Sequence, residues 1–317
     1  RDVAVTGVQT CALPICETGT AGRLIADKRA FLAEYPLFSS GRGRAHDYRY
    51  PQDPHNLSGY QQRLYRLLGF PEMQRRDLAG HELKVTKTAS NPARPWQFRL
   101  RLGGQLRFES RGCENRESAE VLLDLALQLA GEHDNYTASA DVHELVMVCA
   151  DDEEPRLLGR TTTGTDLNVV VDYFADLAQA RGFHLIEHIL LRPRGAADPL
   201  LPVQLDEGAD CPCVEVTDPY SFRMSIILPS WPTEFQDTRF RSFVEDTIRR
   251  EAPAQVIPRV CWISHAQMQD SERHYRAWEE SLAQIAAAEP ACDGEPPAVP
   301  LRAEYATRLG GLIDAMY

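Results

Sequence analysis

The sequence contains no apolar run that approaches the ~18 residues a membrane-spanning helix requires. A basic excess is also lacking. The formal net charge is −12 at pH 7, from 34 Lys and Arg against 46 Asp and Glu. A surface of that sign repels nucleic-acid phosphates unless basic residues are segregated. Arg42, Arg44 and Arg49 do cluster, but Asp47 and Tyr48 dilute them, and Arg75 and Arg76 are flanked by Glu72 and Asp77. Neither a nucleic-acid partner nor a membrane span is therefore expected. Gly-x-Ser-x-Gly is missing, which removes the commonest Ser nucleophile elbow. Gly103-Gly104 and Gly310-Gly311 are too short to cradle a phosphate. The acidic run Asp151-Asp-Glu-Glu154 lacks the glycine and alternating ligands of a calcium loop, and suits a solvated turn.

The first residues lack the character of a natural segment. The run Val5–Ile15 matches the translation of the end of a widely used short-read sequencing adapter. A signal peptide is the alternative, but no basic region follows Arg1, and Thr, Gln and Pro interrupt the apolar stretch. Residues 1–15 are therefore set aside as adapter-derived, the junction is placed near Cys16, and the natural protein is expected to continue upstream. Setting Cys11 aside leaves Cys16, Cys113, Cys149, Cys211, Cys213, Cys261 and Cys292. An odd, irregularly spaced set does not suggest a disulfide framework. A reducing, cytoplasmic setting is the default.

What is present is a mixture of two periodicities, which predicts an α+β fold. Residues 16–72 form a helical segment. Its first helix carries Leu24, Ile25, Phe31 and Leu32 and ends at Tyr35-Pro36; its second opens on a Ser58/Gln61 capping box and stops at Gly69. Residues 94–140 form a strand-strand-helix unit. Trp96, Phe98, Leu100 and Leu102 alternate with polar residues, Gly103-Gly104 turns the chain, and Asn115 caps a helix lined by Ala119, Leu122, Leu123, Ala126 and Leu129. Residues 141–193 repeat that order weakly and add a strand over Phe183–Arg192. Residues 194–217 are rich in Pro, Gly, Asp and Ala and predict a linker. Residues 218–288 predict a strand-helix-strand-helix unit, with Asp237 and a Ser264/Gln267 capping box as its helix starts. Residues 289–317 predict a Pro-rich linker and a short tail, one short helix or a frayed end.

The sharpest motif is His184-Leu-Ile-Glu187-His188, which fits the H-x-x-E-H of inverted zinc peptidases. That chemistry needs both histidines on one helical face with the glutamate beside the metal-bound water. Here the segment lies between a helix stop at Gly182 and Pro193 and has strand character. On a strand His184 and His188 share a face while Glu187 points the other way. Satisfied sheet histidines are the expectation, and a zinc site through these three residues is the alternative. Cys211-Pro-Cys213 is a second zinc candidate, but no other Cys pair stands at ribbon spacing. No catalytic residue and no cofactor are expected. Tyr220, Phe222 and Trp231, set among Pro219, Pro229 and Pro232, either pack at the ends of a strand or form an interaction surface.

Three stretches resemble a group of large bacterial proteins associated with phage-tail-like contractile injection clusters. They are Phe31–Pro36 with Gly41–Tyr48, Phe183–Pro193, and Asp218–Phe222 through Glu251-Ala-Pro-Ala254 to Trp262. The resemblance spans most of residues 25–280. Arg99–Glu109 with the helix after it is similar to the small strand-strand-helix domain of the YegP-like type, and the strand-helix-strand around Glu251–Ala254 is similar to C-terminal modules of tail baseplate proteins. The resemblance implies a non-enzymatic structural or assembly component, baseplate-associated, with other subunits of a larger particle as partners. A zinc-dependent hydrolase and a cytosolic adaptor domain are the alternatives.

Overall fold

The structure is a computed structural model describing residues 21–70, 72–89, 91–148, 155–194, 198–201, 203–207, 214–288 and 299–316. It is mixed helix and sheet, of the α+β class that the two periodicities predict.

Helix α1 (Ala21–Ser40) does not stop at Tyr35-Pro36 but runs through Pro36. Proline lacks an N–H, so the helix loses one backbone hydrogen bond there and continues. Helix α2 (Gly59–Leu67) starts on the predicted capping box. Gln61 N–H donates to Ser58 Oγ at 3.2 Å, and Ser58 N–H donates to Gln61 Oε1 at 3.0 Å. Gly59 is required by close approach, since a Cβ there would lie 1.8 Å from the Gly41 carbonyl oxygen. Gly59 N–H also donates to the Arg44 carbonyl at 2.8 Å, so the 41–44 loop is seated on the start of α2.

Each predicted strand-strand-helix unit has an additional leading strand. The first unit is β1 (Leu83–Lys87), β2 (Trp96–Leu102), β3 (Gln105–Ser110) and α3 (Arg116–Leu129). The second is β4 (Tyr136–Ser139), β5 (Val142–Met147), β6 (Arg156–Thr161) and α4 (Leu167–Ala178). Their strands merge into one antiparallel sheet in the order β1-β2-β3-β6-β5-β4. The weak repeat becomes specific at this level. The helix caps Asn115 and Asp166 stand 51 positions apart, as do the buried pairs Ala119 and Val170, Leu123 and Phe174, and Ala126 and Leu177. Glu109 and Arg160 have the same offset and face each other across β3 and β6, which places an approximate two-fold axis at the join. Phe108 and Gly159 complete the pattern: a Cβ at Gly159 would meet the Phe108 ring at 2.5 Å. Phe98, Leu100, Phe108, Leu145 and Leu158 form the buried face beneath α3 and α4.

The strand predicted to close the second unit belongs elsewhere. β7 (His184–Glu187) pairs antiparallel with β10 (Arg223–Pro229), which pairs parallel with β11 (Ile257–Ile263). Helix α5 (Thr238–Glu251) makes the crossover, and α6 (His265–Ala288) follows β11. The reason is two-sided burial. Met224, Ile226 and Leu228 pack with α2 and α5, while Ile227 joins the core that includes Met268, Trp278 and Leu282 of α6. A strand covered on both faces reads as a continuous apolar run, as Met224–Leu228 does. The predicted 194–217 linker contains a two-stranded ribbon, β8 (Gln204–Glu207) and β9 (Val214–Thr217). The predicted tail is an 18-residue helix, α7 (Val299–Met316), and its Tyr305, Leu309 and Leu312 are buried. Those three stand at the i, i+4, i+7 spacing of one helical face, which packs along α6.

Candidate functional site

The densest polar constellation lies along one face of α6. His265, Gln269, Glu272, Tyr275, Arg276 and Glu279 follow one another at helical spacing. Most of them bind backbone, and most of that backbone is the segment leading into β1. His265 Nε2 lies 2.7 Å from the Ala79 carbonyl, and Gln269 donates to the carbonyls of Gly80 at 2.8 Å and Leu83 at 3.0 Å. Glu272, about 2% exposed, accepts from Leu78 N–H at 2.6 Å and Ala79 N–H at 3.4 Å. It also accepts from His184 Nε2 at 2.8 Å. One buried carboxylate thus ties β7 and the 77–79 segment to α6.

Two helical turns further on, Glu279 is paired with the Arg75 guanidinium. His46 Nε2 lies 3.6 Å from Glu279 Oε1. Burial pushes the Glu279 carboxyl up, with Arg75 opposing. Burial, aided by the Arg75 charge, pushes His46 down to about 4, so it is neutral at pH 7. Burial also holds the Tyr275 phenol well above its ordinary value. Beside these groups is a cleft of about 280 Å³ between the 51–54 loop, the 75–77 segment and α6. A His184–Glu272 dyad in a cleft has the form of an oriented general base. Among the described residues no Ser, Thr or Cys lines the cleft, and the carboxylate accepts from two backbone donors. Its hydrogen bonds fasten α6 to β7 and to Leu78 and Ala79.

The H-x-x-E-H residues are dispersed. His184 faces α6. Glu187 faces the opposite side of β7, with Leu185, and lines a different groove. Burial raises its carboxyl. His188 begins a 3-10 turn, His188–Leu191, where the predicted strand ends early, and its Nε2 lies 2.8 Å from Ser225 Oγ. Burial and then the charges of Arg223 and Arg259 lower the His188 ring. The trio is not brought together, because alternation along a strand sends Glu187 away from both histidines' side. Among the described residues, no group of three or more His, Cys, Asp and Glu side chains is arranged to hold a metal ion. Cys211, Cys213 and the 151–154 turn lie outside the described residues.

Two of the three interaction candidates are core residues. Tyr220 is 5% exposed and its hydroxyl donates to the Leu201 carbonyl. Trp231 is 2% exposed; its Nε1–H donates to the Leu177 carbonyl at 3.1 Å and its ring packs edge-on against His265. Trp231 lies between α4 and the start of α6, and the polar tip of each ring finds a backbone carbonyl. Phe222 alone is a surface residue, 61% exposed, with φ of +59°.

The α6 polar face was missed by motif reading. Its signal was available as Glu272 and Glu279 seven positions apart on the same helix as Met268, Trp278 and Leu282. A carboxylate at a core-facing position implies a buried partner, but the partners are backbone N–H groups and side chains from segments far away in sequence, which sequence does not point to. No helix in the described residues is long and apolar enough to cross a membrane. No protein-family model matches the chain, and no curated protein matches it either.

Proposed function

We propose that this chain is a non-enzymatic structural or assembly protein acting through protein–protein contacts, and more finely a baseplate-associated component of a phage-tail-like contractile particle. The observation that carries the coarser reading is how its polar groups are used. The buried Glu272 and Glu279 and the half-buried His184 and Arg75 are spent on joining α6 to β7 and to the segment before β1. Three exposed apolar side chains, Phe222, Ile257 and Ile189, lie at one end of the smaller sheet and are 61%, 67% and 40% exposed. Such a patch on a folded unit favours contact with another protein. The finer reading rests on the resemblance over residues 25–280 to proteins of contractile injection clusters.

Co-expression of the full chain with each baseplate protein encoded at the same locus tests this reading. A stable complex on size-exclusion chromatography is the expected result. Failure of every such component to associate removes the particle role. Stoichiometric zinc by elemental analysis, lost in His188→Ala together with a hydrolytic activity, would replace the reading with the metal-dependent alternative.

A further inference from the structure

Phe222 and Ile189 line a groove of about 340 Å³ at the entry of β10. Leu185 and Met224, both buried, form its floor. The 42–45 loop is one wall, and Phe222 with Arg223 is the other. Both walls are fixed by the backbone. The loop is held on α2 by the Gly59 contact. The Phe222 carbonyl accepts from Ile257 N–H at 2.8 Å, at the start of β11.

Two features set this groove apart. The first is charge. Arg42, Arg44 and Arg223 all line it, all are exposed, and none forms an ion pair with a described residue. Most other arginines of the cluster regions are neutralised: Arg49 by Asp47, Arg75 by Glu279 and Arg76 by Glu72. The only acidic side chain lining the groove is Glu187. On a chain of net charge −12 this is a local positive site. The second is Phe222 itself. A bulky side chain in the left-handed region is an outlier that glycine would relieve. Its ring is mostly in solvent, so folding does not explain its presence, and such strain tends to be retained where a side chain binds something.

We infer that this groove docks an acidic segment of a partner protein, with an aromatic or aliphatic anchor seated against Phe222 and flanking carboxylates on Arg42, Arg44 and Arg223. The inference rests on the reading of the chain as a protein–protein contact component and names the chemistry of the partner. Carboxylates match guanidinium groups bidentately, and an apolar anchor matches the Leu185 and Met224 floor. A second copy of this chain is the competing occupant.

The test is selection of a displayed random dodecapeptide library against the full chain, with Phe222→Gly and the double variant Arg44→Glu/Arg223→Glu selected in parallel. Phe222→Gly removes the ring and relieves the backbone, so its urea midpoint is expected to hold or rise, and loss of binding is not loss of fold. The expected wild-type pool is enriched in Asp and Glu flanking an aromatic or aliphatic residue. A peptide from it should bind each variant about tenfold or more weakly, the size of an interface hot spot. Binding should also weaken as salt rises. A pool without acidic enrichment, or binding within about twofold in both variants, overturns the inference. Wild-type dimerisation abolished by Phe222→Gly without acidic enrichment overturns it in favour of self-association. The outcomes separate from those of the functional reading. Baseplate components that bind the groove variants as well as wild type sink the groove alone. Acidic peptides selected by a chain that binds no such component sink the particle role alone.

Discussion

Replacing Glu272 with alanine should be among the most damaging single changes outside the apolar core. The carboxylate is about 2% exposed and accepts from Leu78 N–H at 2.6 Å, His184 at 2.8 Å and, weakly, Ala79 N–H at 3.4 Å. Alanine provides no acceptor for these donors. Each buried donor left without a partner costs about 1–3 kcal/mol. Two strong bonds and one weak one give a loss of about 3–5 kcal/mol, in the range seen when one partner of a buried charged pair is removed. Glu272→Gln retains the shape and one acceptor oxygen, so about half that loss is expected. Equilibrium urea unfolding followed by tryptophan fluorescence measures both. Amide exchange at Leu78 should lose protection in Glu272→Ala before the rest of the core does. A double-mutant cycle with His184→Ala should show a coupling of about 0.5–3 kcal/mol, because both changes break one bond. A cost below about 1 kcal/mol for Glu272→Ala, or strict additivity with His184→Ala, would refute the fastening role assigned to this carboxylate.

Burial pushes His265 and His46 each down to about 4, so the fold resists protonating them while the unfolded chain accepts protons near the ordinary value of 6.5. Stability should therefore fall as pH drops from 6.5 toward 4, and His265→Gln should flatten that slope in urea titrations at several pH values. Glu279 and Glu187, whose carboxyls are raised by burial, act in the opposite direction and gain as pH falls, so an unchanged slope in His265→Gln would count against the buried neutral imidazole. Gly159→Ala places a methyl 2.5 Å from the Phe108 ring and 2.7 Å from the Glu109 carbonyl oxygen. It should cost about 1–3 kcal/mol, partly recovered by Phe108→Leu; equal losses with and without that second change would place the strain elsewhere. Leu309 is fully buried on α7, and Leu309→Ala should cost about 2–5 kcal/mol by thermal or urea unfolding; a frayed tail would show almost none.

Much of the local architecture was legible because its determinants are local. Ser58 with Gln61, Asn115, Asp237 and Ser264 with Gln267 start helices through side chains that satisfy nearby backbone N–H groups, and each does so here. Gly103-Gly104 turns β2 into β3 with both glycines at positive φ. The opposite facing of Glu187 and His184 follows from the pleat of a strand alone. Partner choice is another matter. That β7 pairs with β10 rather than with the second unit depends on where Ile227 and Ile186 find apolar cover, a long-range outcome. β1 and β4 are short and half-exposed, with weak alternation of their own, and exist because β2 and β5 offer them an edge.

The same division explains the candidate sites. Aromatic and proline content marked residues 218–232 as noteworthy but left open whether they pack or bind. Tertiary structure buried Tyr220 and Trp231 because carbonyls of Leu201 and Leu177 lay within reach of their polar tips, and left Phe222 outside. Sequence alone determined the helix starts, the hairpin turn, the strand faces and the acid-rich balance, since these follow from neighbours a few residues apart. Only the tertiary structure decided which carboxylate is buried, which arginines go unpaired and which aromatic ring meets solvent, because burial and pairing are settled by segments far apart in sequence, as Arg75 and Glu279 are, 204 positions from each other.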